Sequence, residues 1–328
     1  MSDIQLAIAG DFHTAEKLLD CLEKTTLSFD RLCAVELEEF NEEQSLRFHN
    51  SSVEQVKLDD VDWSQFSYVL FAGTSAHSEL LAKIVQAGCI IIDLYGLTAL
   101  ISDVPVIVPS VNDDELVHLR ERNIVALANP QISQLALALK PLSDLPIQQV
   151  FVTSLVSSAY FGDQKVQKLA GQTAQLLNGI PLDSDTPRVA FDTVPSNVQD
   201  DEASVPFSKA FALQLAKVMP NLTACTTFHS VQVPVFYGTS QMVSLQSEYP
   251  LDAVELSEQW KQQGWLTFNE EVIVTPVKNG EDEENNTLQI SQLLSKDENA
   301  IQFWSVTDEQ RFSVAFLGVK LLELVLNY

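Results

Sequence analysis

Short apolar runs that alternate with helical segments dominate the first part of this 328-residue chain. The runs are IQLAIAG (4–10), YVLFAG (68–73), CIIID (89–93), VPVIVP (104–109) and IVALAN (124–129). Two segments between them, 14–24 and 78–88, carry apolar residues at helical spacing. Continuous apolar strands separated by helices are typical of a parallel sheet with both faces covered. The pattern predicts a doubly wound α/β domain in which a dinucleotide would bind just after the first strand, at Gly10.

After residue 141 the pattern changes to longer β-type runs with fewer helices. We predict strands in QQVFVTSLVSSAYF (148–161), VIVTPV (272–277) and TLQISQLL (287–294), and a hairpin-like region over 222–248. Helices are predicted at 163–179, at 206–219 and at the end of the chain. This order predicts an α+β domain on a mixed or antiparallel sheet. A broad sheet face beneath helices commonly pairs with a symmetry mate, which favours a homodimer.

Charge and cysteine usage exclude several classes of function. The formal net charge is −26 and the sequence pI is about 4.3, which argues against binding to nucleic acid or to an anionic membrane. The four scattered cysteines predict free thiols in a reducing compartment. The N-terminus has no signal-peptide pattern and no run is long enough to span a bilayer, so a cytoplasmic protein is expected. The five histidines lack metal-ligand spacing, so no metal site is expected.

The stretch ANPQISQ (128–134) places a strand-to-helix turn where enzymes often carry a nucleophile. Backbone N–H groups at the start of a helix favour anions and lower the pKa of a thiol. The position that could use this field holds Ile132, which has no nucleophilic atom. Cys225 lies far away in sequence and is better explained as a structural thiol.

Three stretches taken together resemble the aspartate-semialdehyde dehydrogenase family. They are DVPVIVPSVNDDEL (103–116), ANPQISQLALALKPL (128–142) and VPVFYGTSQMVSL (233–245). The resemblance implies a Rossmann-like, NAD(P)-binding-type domain over 1–129 and a dimerisation domain over 130–306. It also implies a C-terminal helix over 307–328 that packs back on the first domain. In this family a cysteine thiolate attacks the aldehyde, hydride passes to NADP, and phosphate then releases the acyl group.

The chain departs from the family's pattern at each position that carries this chemistry. The positions of the catalytic cysteine, glutamine, carboxylate-binding arginine and histidine correspond to Ile132, Val156, Gln232 and Thr239. The phosphate-binding arginine corresponds to Ala99. Of the family's Glu-x-x-Lys pair, Gln214 replaces the glutamate and Lys217 is retained. The resemblance therefore predicts that no catalytic or substrate-binding set is intact.

The dinucleotide motif departs from the family's pattern as well. Only Gly10 remains of the glycine-rich turn, and Asp11, Phe12 and His13 follow it. The segment VELEEFNEE (35–43), which follows the second strand, is acidic where the family holds the NADP phosphate. No cofactor is expected on these grounds, although the resemblance to an NAD(P)-binding fold leaves that cofactor open.

Three hypotheses follow from the sequence. The first is a catalytically inactive homodimer, similar to the usg-type homologues of these dehydrogenases, that acts as a scaffold or binds an unknown ligand. The second is an active oxidoreductase of the aspartate-semialdehyde dehydrogenase type with an altered cofactor or substrate. The third is a regulatory partner that forms heterodimers with a genuine dehydrogenase. Dinucleotide titration separates the first two hypotheses, and co-purification with an active enzyme tests the third.

Overall fold

The computed structural model describes residues 4–40, 45–183, 185–195, 207–281 and 286–328. The chain forms two compact units, Met1–Asn129 with Ser313–Tyr328, and Pro130–Phe312. The C-terminal segment predicted to return to the first unit spans 307–328. In the structure, residues 307–312 belong to the second unit, where Glu309 bonds to Ser157 and Gly238, and residues 313–328 belong to the first unit. Among the described residues, no helix combines the length and the apolar character that a membrane crossing requires.

A seven-stranded parallel sheet forms the centre of the first unit. Its strands are β1 (Gln5–Gly10), β2 (Arg31–Glu36), β5 (Glu54–Lys57), β6 (Tyr68–Phe71), β7 (Ile90–Asp93), β8 (Val106–Ile107) and β9 (Ile124–Leu127), in the order β5-β2-β1-β6-β7-β9-β8. A small ribbon of β3 (Arg47–Phe48) and β4 (Ser51–Ser52) lies outside this sheet. Strands β2 and β5 lie on one side of β1, and β6 to β9 lie on the other side, as in doubly wound folds.

The helices of the first unit come from both ends of the chain. Helices α1 (Phe12–Glu23) and α2 (Ser78–Gln86) follow β1 and β6. Helix α9 (Leu317–Asn327) contacts α1, β7 and β9. A Cβ added at Gly318 would lie 2.5 Å from the Leu94 side chain, so the glycine permits close packing of α9. A π-helical segment, Glu309–Phe316, precedes α9.

The second unit contains a seven-stranded mixed sheet with the order β11-β12-β10-β13-β16-β15-β14. Its strands are β10 (Ile147–Val156), β11 (Val194–Pro195), β12 (Thr226–Gln232), β13 (Thr239–Ser247), β14 (Leu266–Asn269), β15 (Leu288–Asp297) and β16 (Ala300–Thr307). Its helices are α3 (Pro130–Leu139), α4 (Asp163–Leu177), α5 (Phe207–Val218), α6 (Pro220–Thr223), α7 (Ala253–Lys261) and α8 (Pro276–Gly280). The predicted fold class, a Rossmann-type parallel sheet followed by a mixed-sheet domain, is confirmed.

Two local predictions in the second unit are wrong. Strands β12 and β13 do not form a hairpin, because β10 lies between them and pairs in parallel with β12 and antiparallel with β13. The run at 272–277 is not a strand. Thr275 instead caps α8 by accepting a hydrogen bond from the Lys278 backbone N–H, and Pro276 occupies the first turn.

One face of the central strands of this sheet exposes large apolar side chains. Phe151 on β10 is 49% exposed and Met242 on β13 is 56% exposed. Met242 is the register partner of Thr153 and of the half-buried Trp304, so these side chains share one face. The opposite face carries Val150, Val152 and Val243, which are buried.

Candidate functional site

Gly10 ends β1 at the point where a dinucleotide would approach a Rossmann sheet. A Cβ at this position would lie 3.2 Å from the Ala72 Cβ, which is tighter than ordinary side-chain contact. A side chain at position 10 would require Ala72 to shift by a few tenths of an ångström, so packing favours glycine here. The presence of glycine at position 10 is therefore explained by packing and is not evidence of a bound cofactor.

Asp11 caps helix α1 with its own carboxylate. Its Oδ1 accepts a hydrogen bond from the Thr14 backbone N–H at 2.9 Å, and its Oδ2 accepts one from the Thr14 hydroxyl at 2.7 Å. The Thr14 hydroxyl also lies 2.9 Å from the Tyr95 hydroxyl. In dinucleotide-binding turns the N–H groups at this helix end face the pyrophosphate. Here a side-chain carboxylate already occupies that end of the helix.

We expect Asp11→Ala to lower the free energy of unfolding by about 1 kcal/mol, because the Thr14 N–H loses its acceptor. Asp11→Asn should keep most of the stability, since asparagine caps helices about as well as aspartate. Chemical unfolding followed by circular dichroism measures both. Equal losses in the two variants would show that the cap is not the source of the effect.

Aromatic side chains pack where the chain passes from β1 and β2 into the following turns. The rings of Phe12 and Phe40 meet edge to face with centroids 5.5 Å apart, and Phe40 is buried. Glu36 accepts a hydrogen bond from the Phe40 backbone N–H at 3.3 Å. His13 is exposed beside Phe12. Part of the acidic run predicted to repel NADP, residues 41–43, lies outside the described residues.

Ala99 lies in the turn that follows β7 and is fully buried. Its backbone N–H donates to the Gly96 carbonyl at 3.0 Å. A methyl side chain at this place supplies no charge with which to hold a phosphate. Its correspondence to the family's phosphate-binding arginine remains a prediction.

Ile132 occupies the third position of α3 and is fully buried. Hydrogen bonds on both sides of it fasten the helix to the sheet of the second unit. The Gln241 side chain donates to the Gln131 carbonyl at 2.7 Å, and the Gln134 side chain donates to the Ser305 hydroxyl at 2.9 Å. The strand-to-helix turn predicted from the sequence is therefore present, with an aliphatic side chain at its centre.

Val156 and Gln232 are brought together by the parallel pairing of β10 and β12, in which they are register partners. Both are buried. Gln214 and Lys217 lie on α5, the first buried and the second half-buried. Helix α5 contacts α3 and stacks Phe211 on the ring of Phe228 with centroids 3.6 Å apart.

Thr239 is fully buried at the start of β13, beside a carboxyl group that sequence reasoning missed. Glu309 accepts hydrogen bonds from the Ser157 hydroxyl at 2.5 Å, the Gly238 backbone N–H at 3.0 Å and the Thr239 hydroxyl at 3.4 Å. We call these four residues the Glu309 cluster. The cluster joins the end of β10, the start of β13 and the segment after β16.

Burial, followed by repulsion from the nearby Asp308 carboxylate, raises the pKa of Glu309 from 4.5 to about 7. The hydrogen bonds from Ser157 and Gly238 oppose this shift because they favour the ionised form. Asp308 forms an ion pair with Arg311 at 3.1 Å. No local sequence pattern predicts that this acid is buried, because Glu309 stands between the polar residues Asp308 and Gln310.

The described cysteines are not activated for nucleophilic chemistry. Burial raises the pKa values of Cys21, Cys33 and Cys89 to about 11, and it also raises the pKa of Cys225. Cys225 donates to the Leu222 carbonyl at 3.3 Å. A thiol must ionise to act as a nucleophile, so burial disfavours nucleophilic reactivity at these four positions. Within the described part of the chain, no group of acidic, histidine and cysteine side chains could hold a metal ion.

Family comparisons match both units of the chain. A family profile described as the NAD binding domain of semialdehyde dehydrogenase matches residues 12–119, and one described as the dimerisation domain matches residues 139–312. The chain belongs to the semialdehyde dehydrogenase family. It is 45% identical to a USG-1 protein homolog of Haemophilus influenzae, over 98% of this chain and 96% of that protein.

Enzymes of the same family are also similar over nearly the whole length. The chain is 29% identical to aspartate-semialdehyde dehydrogenase 2 of Vibrio cholerae, over 95% of this chain and 94% of that protein. The crystal structure of aspartate semialdehyde dehydrogenase II from Vibrio cholerae superposes with a TM-score of 0.89 at 26% identity, covering 99% of each chain. The resemblance stated from three short stretches is thus confirmed at the level of the semialdehyde dehydrogenase family.

Proposed function

We propose that this semialdehyde dehydrogenase family member is a homodimer that lacks the family's NADP-dependent activity on aspartate semialdehyde. It would serve as a scaffold or as a binding protein for a ligand not yet identified. The observation that carries the proposal is Ile132, a buried aliphatic side chain on the helix where the family places its nucleophile. Without a nucleophilic atom, the covalent intermediate of the reaction cannot form there.

The surroundings of Thr239 support the same proposal. A threonine hydroxyl does not exchange protons near neutral pH as an imidazole does. The nearest described acid, Glu309, is already engaged by the Ser157 hydroxyl and the Gly238 N–H. At Ile132 and Thr239, the described side chains therefore supply neither a nucleophile nor an imidazole-like acid–base group, which supports the loss of the family's activity.

A dinucleotide does not fit the residues after β1. The Asp11 carboxylate occupies the helix end that would hold the pyrophosphate, so a bound pyrophosphate would meet a like charge. The packed rings of Phe12 and Phe40 add bulk near the same turn. These contacts support an absence of NADP binding, although the matched domain belongs to an NAD-binding family.

The test measures NADPH formation from aspartate semialdehyde and phosphate, with the Vibrio cholerae enzyme as the positive control. We expect no rate above the background without protein. We expect Ile132→Cys to remain inactive, because a restored thiol still lacks a base at Thr239. Turnover by the wild-type protein would overturn the proposal.

Calorimetric titration with NAD, NADH, NADP and NADPH tests the cofactor part separately. We expect no saturable heat with any of the four. Saturable binding without turnover would overturn the cofactor argument and leave the catalytic one standing.

The homodimer is supported by the exposed apolar face of the second unit's sheet. Phe151, Met242 and Trp304 lie on that face, and the family profile matched there is described as a dimerisation domain. Large exposed apolar side chains grouped on one sheet face commonly mark a subunit interface. A second copy of the chain would bury it.

A further inference from the structure

The central strands of the second unit's sheet contain no acidic residue, lysine or arginine. These residue types make up 20% of the chain, and none of them occurs in β10, β12, β13 or β16. The face of an antiparallel sheet that stays in water normally carries polar and charged side chains. The core of a protein–protein interface is instead depleted of charge. The composition of these strands therefore favours the exposed sheet face as the centre of an interface.

A histidine lies on this face. Of the side chains in these four described strands, only His229 changes its charge between about pH 5 and pH 8. His229 is the register partner of Thr153, which pairs with Met242, and Met242 pairs with Trp304. Register partners on neighbouring strands share one face, so the four residues form a row across the sheet. His229 is exposed in the single chain, and a dimer formed through Met242 and Trp304 would cover it.

The sheet places no described acid within reach of His229. Its neighbours on the same face are uncharged, namely Thr227 and Val231 on β12 and Thr153 on β10. The charged residues that adjoin the sheet strands stand at strand ends or in the adjacent turns, at Asp192, Glu248, Lys296, Asp297 and Asp308. Each lies more than about 10 Å from His229, counted at about 3.3 Å per residue along a strand and about 4.8 Å between strands. In a twofold dimer the facing surface is the same patch, so the second copy brings uncharged strands as well.

We propose that protonation of His229 dissociates the homodimer, so that the protein is dimeric at about pH 7.5 and monomeric at about pH 5.5. The inference rests on the proposed homodimer and on its formation through the exposed sheet face. A neutral imidazole can be covered at little cost, whereas an imidazolium covered without an anionic partner loses its hydration. The free chain therefore takes up the proton more readily than the dimer does. Because acid favours the state that binds more protons, a fall in pH favours the free chain.

The overall charge of the chain acts in the opposite direction. The formal net charge of −26 becomes smaller in magnitude as the pH falls, because histidines and some carboxylates take up protons. Two copies then repel each other less. A dimer governed by overall charge would become tighter in acid, so the sign of the pH effect separates His229 from the rest of the chain.

Sedimentation equilibrium of the full-length protein at about pH 7.5 and about pH 5.5, at one ionic strength, tests the proposal. We expect the dissociation constant to rise by about a hundredfold at the lower pH, because each of the two released chains takes up a proton. A monomer at about pH 7.5 would overturn the homodimer itself. A dimer that is equally tight or tighter at about pH 5.5 would leave the homodimer standing and overturn the role of His229.

Matched histidine variants assign the effect to one residue. His229→Gln should remain dimeric at both pH values, whereas His118→Gln, at an exposed position of the first unit, should keep the pH dependence of the wild type. His229→Arg carries its charge at every pH used and should be monomeric even at about pH 7.5, while His118→Arg should remain dimeric there. Wild-type pH dependence in His229→Gln would overturn the proposal, as would a dimer of His229→Arg as tight as the wild type.

Discussion

Glu309→Gln is expected to make the protein more stable than the wild type at about pH 8 and to bring no such gain at about pH 5. The wild-type carboxyl group is buried, and its pKa is raised from 4.5 to about 7. Between these two values the folded chain holds a proton that the unfolded chain releases. Rising pH therefore reduces the free energy of unfolding, and the contribution of this group is lost once the pH passes about 7.

The size of this effect follows from the shift in pKa. Raising the pKa from 4.5 to about 7 corresponds to a loss of about 2 to 3 kcal/mol between about pH 5 and about pH 8. Glutamine has no proton to lose in this range, and its carbonyl can still accept from the Gly238 N–H. The Ser157 hydroxyl can rotate and accept from the new amide.

Urea unfolding at a series of pH values, followed by tryptophan fluorescence, measures this difference. Three of the four tryptophans, Trp260, Trp265 and Trp304, lie in the second unit together with Glu309. Glu298→Gln at an exposed position is the control and should follow the wild-type curve. A constant difference between Glu309→Gln and the wild type across this range would contradict the prediction.

Met242→Glu is expected to convert the proposed homodimer to a monomer. In a dimer formed through the exposed sheet face, the new carboxylate would be buried beside Thr153 and Trp304 without a cationic partner. An unpaired charge in an interface costs several kcal/mol, so we expect the dissociation constant to rise by about a hundredfold or more. Sedimentation equilibrium should show the wild type at twice the 36.4 kDa chain mass and the variant at the mass of one chain.

Leu177→Glu provides the matched control for Met242→Glu. Leu177 ends α4, is 75% exposed, and receives the same change from an apolar to an acidic side chain. We expect it to remain a dimer. Monomeric wild-type protein, or dissociation of both variants to the same extent, would exclude the sheet face as the interface.

The sequence predicts the first unit well because the local pattern and the fold agree there. Each apolar run of that unit is buried on both sheet faces, so its strands read as continuous hydrophobic segments. In the second unit, β12 and β13 are adjacent along the chain and suggest a hairpin. Their separation by β10 depends on pairing between distant residues, such as Val150 with Thr226, which no local pattern encodes.

The sequence predicts which family positions have changed, and the contacts made at those positions come from the structure alone. Motif comparison predicts that Ile132 corresponds to the family's cysteine and Thr239 to its histidine, and both correspondences remain predictions. The capping role of Asp11 depends on its hydrogen bonds to Thr14, although an aspartate before a helix was a readable signal. Glu309 becomes significant only because folding buries it against residues that are distant in sequence.

The placement of α9 sets the order in which the chain can finish folding. Residues 313–328 belong to the first unit but are synthesised after the whole second unit. Until they emerge from the ribosome, the surface of β7, β9 and α1 that α9 contacts has no cover. The first unit therefore lacks helix α9 during the synthesis of residues 130–312, which make up more than half of the chain. Chaperone binding to nascent chains should be greatest over this interval, and it should end when Gly318 packs against Leu94.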